Sequence, residues 1–228
     1  MATVFVTGGT GYLGRALIPA LLARGHAVHA LARASGEARV PAGAHVVTGD
    51  ALDAATFTHA IPAGATIVHL VGTPHPNPSK AAEFERVDLG SIRATARAAT
   101  AARASHLVYV SVAQPAPAMR AYVAARAQGE ALVRATGIPA TFVRPWYVLG
   151  PGHRWPVVLV PFYALARLVP AWRDTAVRLG LVTLADMVAT LVAAVAHPPG
   201  SGVTIVDVPG IRRAQWALTR ATEEKNRR

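Results

Sequence analysis

Residues 8–14, "GGTGYLG", have the composition and setting of a loop that binds phosphate. They follow a short apolar run and precede an apolar pattern of helical period. In that setting Gly8 permits a tight turn, Gly11 lets the backbone approach a pyrophosphate, and Gly14 lets the helix pack closely on the strand. The N–H groups of the helix N-terminus attract the phosphate. We therefore expect dinucleotide contacts from Gly8, Thr10, Gly11, Tyr12, Leu13 and Gly14.

The elements around this loop alternate between strand-length apolar runs and helical patterns. The predicted strands are residues 3–7, 27–32, 45–48, 66–71, 107–111, 140–143 and 203–206. The predicted helices are residues 12–24, 54–60, 79–104 and 118–135, and Gly25, Gly64 and Gly137 stand where three helical patterns end. The alternation predicts an α/β fold with a doubly wound parallel sheet.

The segment after residue 143 lacks this alternation. "RPWYVLGPGHRWP", residues 144–156, is predicted to be a loop because it contains three prolines. Residues 155–172 are apolar, but Pro161, Arg167 and Pro170 favour a buried cap over a membrane span. We expect one domain over residues 1–228, with a nucleotide-binding core (1–150) and a substrate-side segment with a basic tail (151–228).

Composition restricts the function classes. The hydrophobic content of 52% excludes a disordered chain, and the absence of cysteine excludes disulfides and thiolate chemistry. The net charge is +11, but the basic residues are scattered, so we expect no nucleic-acid partner. No basic stretch precedes the first apolar residues, so we expect no signal peptide and a cytoplasmic location.

Several motifs in order resemble the short-chain dehydrogenase/reductase superfamily. "TGGTGYLG" is similar to the TGxxGxxG motif of its extended and atypical branches, which include epimerase-like and NmrA-like proteins. "VVTGD", "VHLVG", "VDLGSIRATARAA", "LVYVSV" and "GLVTLADMVATLVAAV" follow in the family's order. The resemblance implies a Rossmann-type fold, a small C-terminal substrate-side cap, an NAD(P) cofactor and a small-molecule substrate.

The end of the second predicted strand bears on which dinucleotide binds. A carboxylate there would accept a bond from the ribose 2′-hydroxyl of NAD, whereas an arginine can pair with the 2′-phosphate of NADP. "HALARASGEAR", residues 29–39, has Arg33 just past the strand and no acid at its end, so NADP is favoured over NAD. The other cofactor contacts that the resemblance implies are Asp50, Ala51, Val71, Gly72 and Pro145; the alternative for Asp50 is a helix N-cap.

The catalytic residues that the resemblance implies are Ser111, Tyr122 and Arg126. In the family a tyrosine transfers the proton, and a lysine four residues later lowers the pKa of that tyrosine and binds the nicotinamide ribose. Here Arg126 holds the lysine position, and an arginine is not interchangeable with a lysine. The family's hydroxyl often falls one or two residues after Ser111, where this chain has Val112 and Ala113. Tyr122 and Arg126 could therefore transfer protons, only bind cofactor, or lie on the surface.

Candidate substrate contacts follow the fourth and sixth predicted strands, whose ends meet the cofactor in such sheets. They are His75, Trp146, Tyr147 and Trp155, of which the aromatic residues predict an apolar pocket. His75 also has a simpler interpretation as a loop histidine held between prolines. The histidines show no metal-ligand spacing, so no metal site is expected.

Two functions agree with these patterns. The first is an NADP(H)-dependent oxidoreductase or epimerase-like enzyme acting on a small apolar carbonyl or hydroxyl compound. The second is a catalytically impaired dinucleotide-binding protein, serving as a redox sensor or an assembly subunit. The predicted helices at 79–104 and 118–135 could form a homodimer interface, as they do in many proteins of the family.

Overall fold

Seven parallel strands form the main sheet of the residues that the computed structural model describes, which are 1–116, 118–151, 175 and 177–214. The strands are β1 (Thr3–Thr7), β2 (Ala27–Ala32), β3 (His45–Thr48), β4 (Thr66–His69), β5 (His106–Val110), β6 (Ala140–Val143), β7 (Tyr147–Leu149), β8 (Leu181–Thr183) and β9 (Val203–Val206). The sheet order is β3-β2-β1-β4-β5-β6-β9, and β7 pairs with β8 separately. The carboxyl ends of β1, β2, β4, β5 and β6 therefore meet at one edge.

Helices cover both faces of this sheet. The α-helices are α1 (Tyr12–Leu22), α2 (Ala81–Glu83), α3 (Gly90–Ala101), α4 (Arg120–Ala135) and α5 (Leu184–Ala196). A π-helical turn (Phe84–Leu89) joins α2 to α3, and short 3-10 helices span Ala34–Arg39, Ala54–Thr56, Thr58–Ala60 and Pro78–Lys80. α1 packs on α5, and α3 packs on α4.

Strand β1 shows why the sheet must be covered on both faces. Val4 and Val6 belong to the core beneath α1 and α5, whereas Phe5 belongs to the core beneath α3 and α4. All three are completely buried, since successive strand side chains point to opposite faces and both faces carry helices. The doubly wound Rossmann-type prediction is confirmed; residues 152–174, where the predicted cap begins, lie outside the described residues.

The predicted helix ends at Gly25 and Gly137 are also confirmed, since these residues follow α1 and α4 with φ angles of 76° and 70°, in the left-handed region that glycine adopts without a steric penalty. Gly64 also has a positive φ, of 73°, but lies in a turn that follows no α-helix. α5 begins with a reciprocal cap in which the Thr183 hydroxyl accepts the Asp186 N–H (3.1 Å) and the Asp186 carboxylate accepts the Thr183 N–H (2.7 Å).

Two local predictions were wrong. The helix predicted over 54–60 is two 3-10 turns, capped by Asp53, because the segment is too short to propagate an α-helix. The loop predicted over 144–156 contains strand β7, which forms because a parallel partner, β8, arrives from more than thirty residues later. No pattern within the loop signals that distant partner.

None of the helices in the described ranges is long and apolar enough to cross a membrane. The apolar stretch 155–172, for which a buried cap was predicted, lies outside those ranges.

Two buried histidines predict how stability depends on pH. Burial lowers the pKa of His69 to about 3 and that of His106 to about 4. Unfolded histidines titrate near 6.5, so the unfolded chain binds more protons between pH 4 and 6.5. The free energy of unfolding should therefore fall as pH drops through this range, each histidine contributing up to about 1.4 kcal/mol per pH unit. Urea unfolding at several pH values measures this slope.

His106→Gln should reduce the slope by about one proton, because it removes one of the two groups that bind protons more tightly in the unfolded chain. The fold should be retained, because the amide can still bond the Thr141 hydroxyl that lies 3.0 Å from the His106 ring. An unchanged slope in His106→Gln would show that His106 does not titrate differently in the folded protein.

Candidate functional site

The glycine loop makes a tight turn between β1 and α1. Gly8 has a φ of 79°, and the Gly11 N–H donates to the Gly8 carbonyl oxygen at 3.0 Å. A Cβ on Gly8 would lie 3.0 Å from the backbone of Leu70, and a Cβ on Gly14 would overlap the Gly8 carbonyl oxygen. Gly14 therefore packs on the loop itself, not on the strand as the sequence predicted.

Gly11 differs from these two because it is exposed. A Cβ at this position would lie 3.2 Å from the Gly8 carbonyl oxygen, a tight contact without the overlap found at Gly14. Among the described residues no side chain caps the N-terminus of α1, and its first turn has no acid. The loop thus presents backbone N–H groups and the positive end of a helix dipole, which fits a pyrophosphate.

The end of β2 carries arginines beside this loop. Arg33 is exposed and begins the 3-10 helix Ala34–Arg39. Arg39 and Thr10 both border Gly36: a Cβ there would lie 3.2 Å from the Arg39 Nη2 and 3.6 Å from the Thr10 methyl carbon. Arg39 therefore lies near the glycine loop.

One sequence interpretation near β2 and β3 needs correction. β2 ends at Ala32 without an acid, and Glu37 lies in the 3-10 helix that follows, where it accepts a hydrogen bond from the Thr48 hydroxyl at 2.5 Å. The N-cap alternative for Asp50 is wrong, because Asp53 is the cap of Ala54–Thr56. Asp50 instead accepts the N–H of Leu52 at 3.0 Å, and it remains exposed next to Ala51 at the end of β3.

Arg126 is buried at the carboxyl end of β5. Its Nη1 donates to the Val110 carbonyl oxygen at 2.9 Å, and its Nη2 lies 2.5 Å from the Asp88 carboxylate. The guanidinium carbon lies 5.2 Å from the centroid of the Tyr122 ring, which also packs on Phe84. Of the three alternatives for this pair, the surface position is wrong for Arg126, since the residue is only 5% exposed.

Asp88 holds this arrangement together, and the sequence analysis missed it. Its second carboxylate oxygen accepts the Thr73 N–H (3.1 Å) and the Thr73 hydroxyl (2.6 Å), so the carboxylate joins the loop after β4 to α4. Asp88 lies in the π-helical turn, a helix variant that is frequent at functional sites. The available signal was an acid between Val87 and Leu89 in a predicted amphipathic helix.

The electrostatics favour a charged arginine here. Burial lowers the pKa of Arg126, but the neighbouring Tyr122, Tyr109 and Asp88 more than offset that effect, so the net pKa is raised. Burial also raises the pKa of Tyr109 to about 12, so this hydroxyl stays protonated near neutral pH. The site thus contains a fixed cation beside Tyr122.

The predicted catalytic serine, Ser111, and the two residues after it are all buried. Ser111 is 3% exposed, and its hydroxyl has no hydrogen-bond partner among the described residues. Val112 and Ala113 are buried as well, so neither offers a hydroxyl at the adjacent positions.

The predicted substrate residues lie around the same edge. The ring centroids of Trp146 and Tyr147 are 5.7 Å apart. Pro145, the predicted cofactor contact before them, is buried, and its carbonyl oxygen accepts the Ala113 N–H at 2.9 Å. His75 is exposed, with a φ of 48°, in the loop that follows Val71 and Gly72. Trp155 lies outside the described residues.

Two kinds of cleft open near these residues. An apolar cleft of about 860 Å³ is lined by Ala16, Leu149, Gly150, Pro151, Thr183, Leu184, Ala185 and Val188. A more polar cleft of about 490 Å³ is lined by Gln114, Pro115, Ala116, Arg120, Val123, Ala124 and Arg144. In the polar cleft both Gln114 and Arg144 bond to the buried Glu130. In the apolar cleft Gly150 lies against the Tyr12 hydroxyl, which a Cβ would overlap.

A family model described as NAD(P)H-binding matches residues 8–158, about two thirds of the chain. The chain belongs to the NAD(P)H-binding family. A ceramide reductase of Caulobacter vibrioides is 30% identical over 223 residues, which are 95% of this chain and 67% of that protein. A 4-hydroxy-2-methyl-3-oxo-4-farnesyl-3,4-dihydroquinoline-1-oxide ketoreductase of Stigmatella aurantiaca is 32% identical over 168 residues, 64% of this chain and 50% of that protein.

Solved structures show the same fold. The Bordetella bronchiseptica enzyme WbmH in complex with NAD+ has a TM-score of 0.66 at 20% identity, covering 91% of this chain and 75% of that one. A short-chain dehydrogenase/reductase superfamily protein of Agrobacterium tumefaciens with bound NAD has a TM-score of 0.63 at 17% identity, covering 99% and 100%. The NAD(P)-binding family that the sequence resemblance implied is confirmed.

In the ranges that the structure describes, this NAD(P)H-binding chain has no group of three or more His, Cys, Asp or Glu side chains that could hold a metal ion.

The glycine loop predicts a separation between cofactor binding and stability. Gly11→Ala should lose little stability, because Gly11 is exposed, has a φ of −79° and leaves 3.2 Å between a Cβ and the Gly8 carbonyl oxygen. It should nevertheless weaken NADPH binding by at least about tenfold by blocking the phosphate. Gly14→Ala should lower Tm more, by roughly 5 °C, because its methyl overlaps the loop backbone. Fluorescence titration and thermal melts measure the two effects. Equal loss of Tm in both variants would contradict this difference in packing.

Proposed function

We propose that this chain is an NADP(H)-dependent reductase of a carbonyl group in an apolar substrate. The observation that carries the proposal is the buried cation of Arg126 beside Tyr122, on the sheet edge where the glycine loop presents its N–H groups. Bound NADPH supplies a hydride to the carbonyl carbon. The protein supplies the proton to the carbonyl oxygen, so that a ketone or aldehyde leaves as an alcohol.

Tyr122 is the proton donor in this proposal. It is partly exposed on α4, so its hydroxyl can reach a bound substrate, and its ring is fixed between Phe84 and Arg126. Arg126 keeps a positive charge next to the group that loses a proton. Ser111, whose buried hydroxyl has no partner among the described residues, is the candidate for orienting the carbonyl.

The cofactor contacts are proposed at the edge formed by β1 to β6. The glycine loop with Thr10, Tyr12 and Leu13 holds the pyrophosphate. The remaining contacts come from loops after the strands: Asp50, Ala51, Val71, Gly72 and Pro145. NADP is favoured over NAD because Arg33 is exposed beside the loop and Arg39 lies near Thr10, whereas Glu37 is bonded to Thr48.

The substrate carries a long apolar chain in this proposal. The apolar cleft supports it, since nearly every residue that lines it is aliphatic, and its volume is typical of ligand pockets. The two reductase relatives are named for a ceramide and for a farnesyl-bearing quinoline oxide, which both carry such chains. His75, Trp146, Tyr147 and Trp155 are proposed to border the carbonyl end.

A binding protein without turnover is the second candidate. The buried Val112, where relatives often place a hydroxyl, favours it. So do the bonds of both terminal nitrogens of Arg126 to protein groups. Such a protein would serve as a redox sensor or an assembly subunit.

The two candidates differ in turnover. We expect NADPH oxidation with long-chain ketones or aldehydes, and a loss of about 100-fold in kcat in Tyr122→Phe with NADPH affinity unchanged, since the proton donor is removed. Absorbance at the NADPH band and fluorescence titration measure these quantities. Binding of NADPH without oxidation across the panel would favour the sensor.

Chain length gives a control for the substrate class. Each methylene buried in the cleft is worth about 0.8 kcal/mol, so kcat/KM should rise about fourfold per carbon until the cleft is filled. Ala185→Phe should abolish this rise, whereas Ala124→Phe, in the polar cleft, should retain it. The reverse pattern would place the chain in the polar cleft.

Cofactor choice is tested at Arg33. Arg33→Ala should weaken NADPH binding at least about tenfold and leave NADH binding nearly unchanged, because only NADPH carries the 2′-phosphate. Arg24→Ala, at the far end of α1, is the matched control and should change neither. Equal loss of both nucleotides in Arg33→Ala would mean that Arg33 does not contact the 2′-phosphate.

A further inference from the structure

The guanidinium of Arg126 is enclosed by four elements at the sheet edge. The Val110 carbonyl at the end of β5 and the Asp88 carboxylate in the π-helical turn bind its two terminal nitrogens. The rings of Tyr109 and Tyr122 lie 5.7 and 5.2 Å from its carbon. The fourth element is the loop after β4, where Gly72 lies against Nη2.

The Arg126 side chain, and not the backbone conformation of Gly72, excludes a larger residue at position 72. Its φ is outside the left-handed region, so an alanine could adopt the same conformation. A Cβ there would overlap the Arg126 Nη2 and lie 3.1 Å from the Asp88 Oδ1. The absent side chain is therefore the space that the guanidinium fills.

Asp88 fixes both sides of that space. One carboxylate oxygen contacts Arg126, and the other accepts two hydrogen bonds from Thr73, the residue after Gly72. The loop that makes room for the guanidinium and the guanidinium itself are thus tied to the same carboxylate. An ammonium has no fork, so a lysine at 126 could not span the Val110 carbonyl and Asp88 while filling the space over Gly72.

We propose that Gly72, Asp88 and Arg126 are a matched set, in which Asp88 is a positioning residue that holds the guanidinium beside Tyr122 and Gly72 makes the site specific for arginine. The role of the set in turnover rests on the function proposed above, but its geometry does not. The set explains how an arginine can occupy the position of a shorter cation without moving Tyr122.

A double-mutant cycle tests the match between Gly72 and Arg126. Gly72→Ala should lower Tm in the natural sequence, because the methyl displaces the buried guanidinium. In an Arg126→Lys background the same methyl should have little effect on Tm, because the space is empty. Gly200→Ala is the control, since a Cβ at this exposed position meets nothing within 4 Å.

Asp88→Asn tests positioning, because the amide keeps the size of the carboxylate and loses its charge. We expect kcat to fall at least tenfold while the Kd of NADPH changes less than threefold, whereas damage to the fold alone would lower Tm and impair both together. Additive effects of Gly72→Ala and Arg126→Lys would overturn the matched set, and an unchanged kcat in Asp88→Asn would overturn its positioning role. Absence of turnover in the natural protein would defeat the proposed reductase and the positioning role, while the Tm values of the cycle would still decide the match.

Discussion

A buried guanidinium cannot stay charged without a counter-charge, and this requirement organises the edge of the sheet where β5 ends. Arg126 has few routes to water, so it needs the Asp88 carboxylate and the Val110 carbonyl. The guanidinium therefore contacts the π-helical turn, which carries Asp88, and the loop after β4, which carries Gly72. The position of Tyr122 follows from the same contacts, because its ring rests on the guanidinium.

The features that the sequence predicted are those with local signals. The glycine loop, the strand periods and the glycine stops each depend on a few adjacent residues, and the structure places them as expected. Asp88, the β7–β8 pair and the Glu37–Thr48 bond depend on partners far along the chain. No window of sequence contains both partners, so periodicity and turn chemistry could not reveal them. The π-helical turn could not be predicted either. Its hydrogen bonds span one residue more than those of an α-helix, and it has no characteristic composition.

Backbone geometry restricts the glycine loop more than the apolar cleft. The loop comes from the first βα unit, where a Cβ on Gly14 would overlap the loop backbone. The described lining of the apolar cleft comes mainly from the segments around β7, β8 and the start of α5, where Gly150 alone has a comparable restriction among the described residues. Exposed lining residues such as Ala185 can therefore change in size without disturbing the glycine loop.

The contact between Tyr12 and Gly150 joins these two regions. Tyr12 is the first residue of α1, and its hydroxyl lies where a side chain on Gly150 would be. The strand before Gly150 is short and pairs with β8 alone among the described strands, so it is free of the main sheet. A side chain at residue 150 would therefore displace the Tyr12 ring, and with it the residue that begins the helix after the glycine loop.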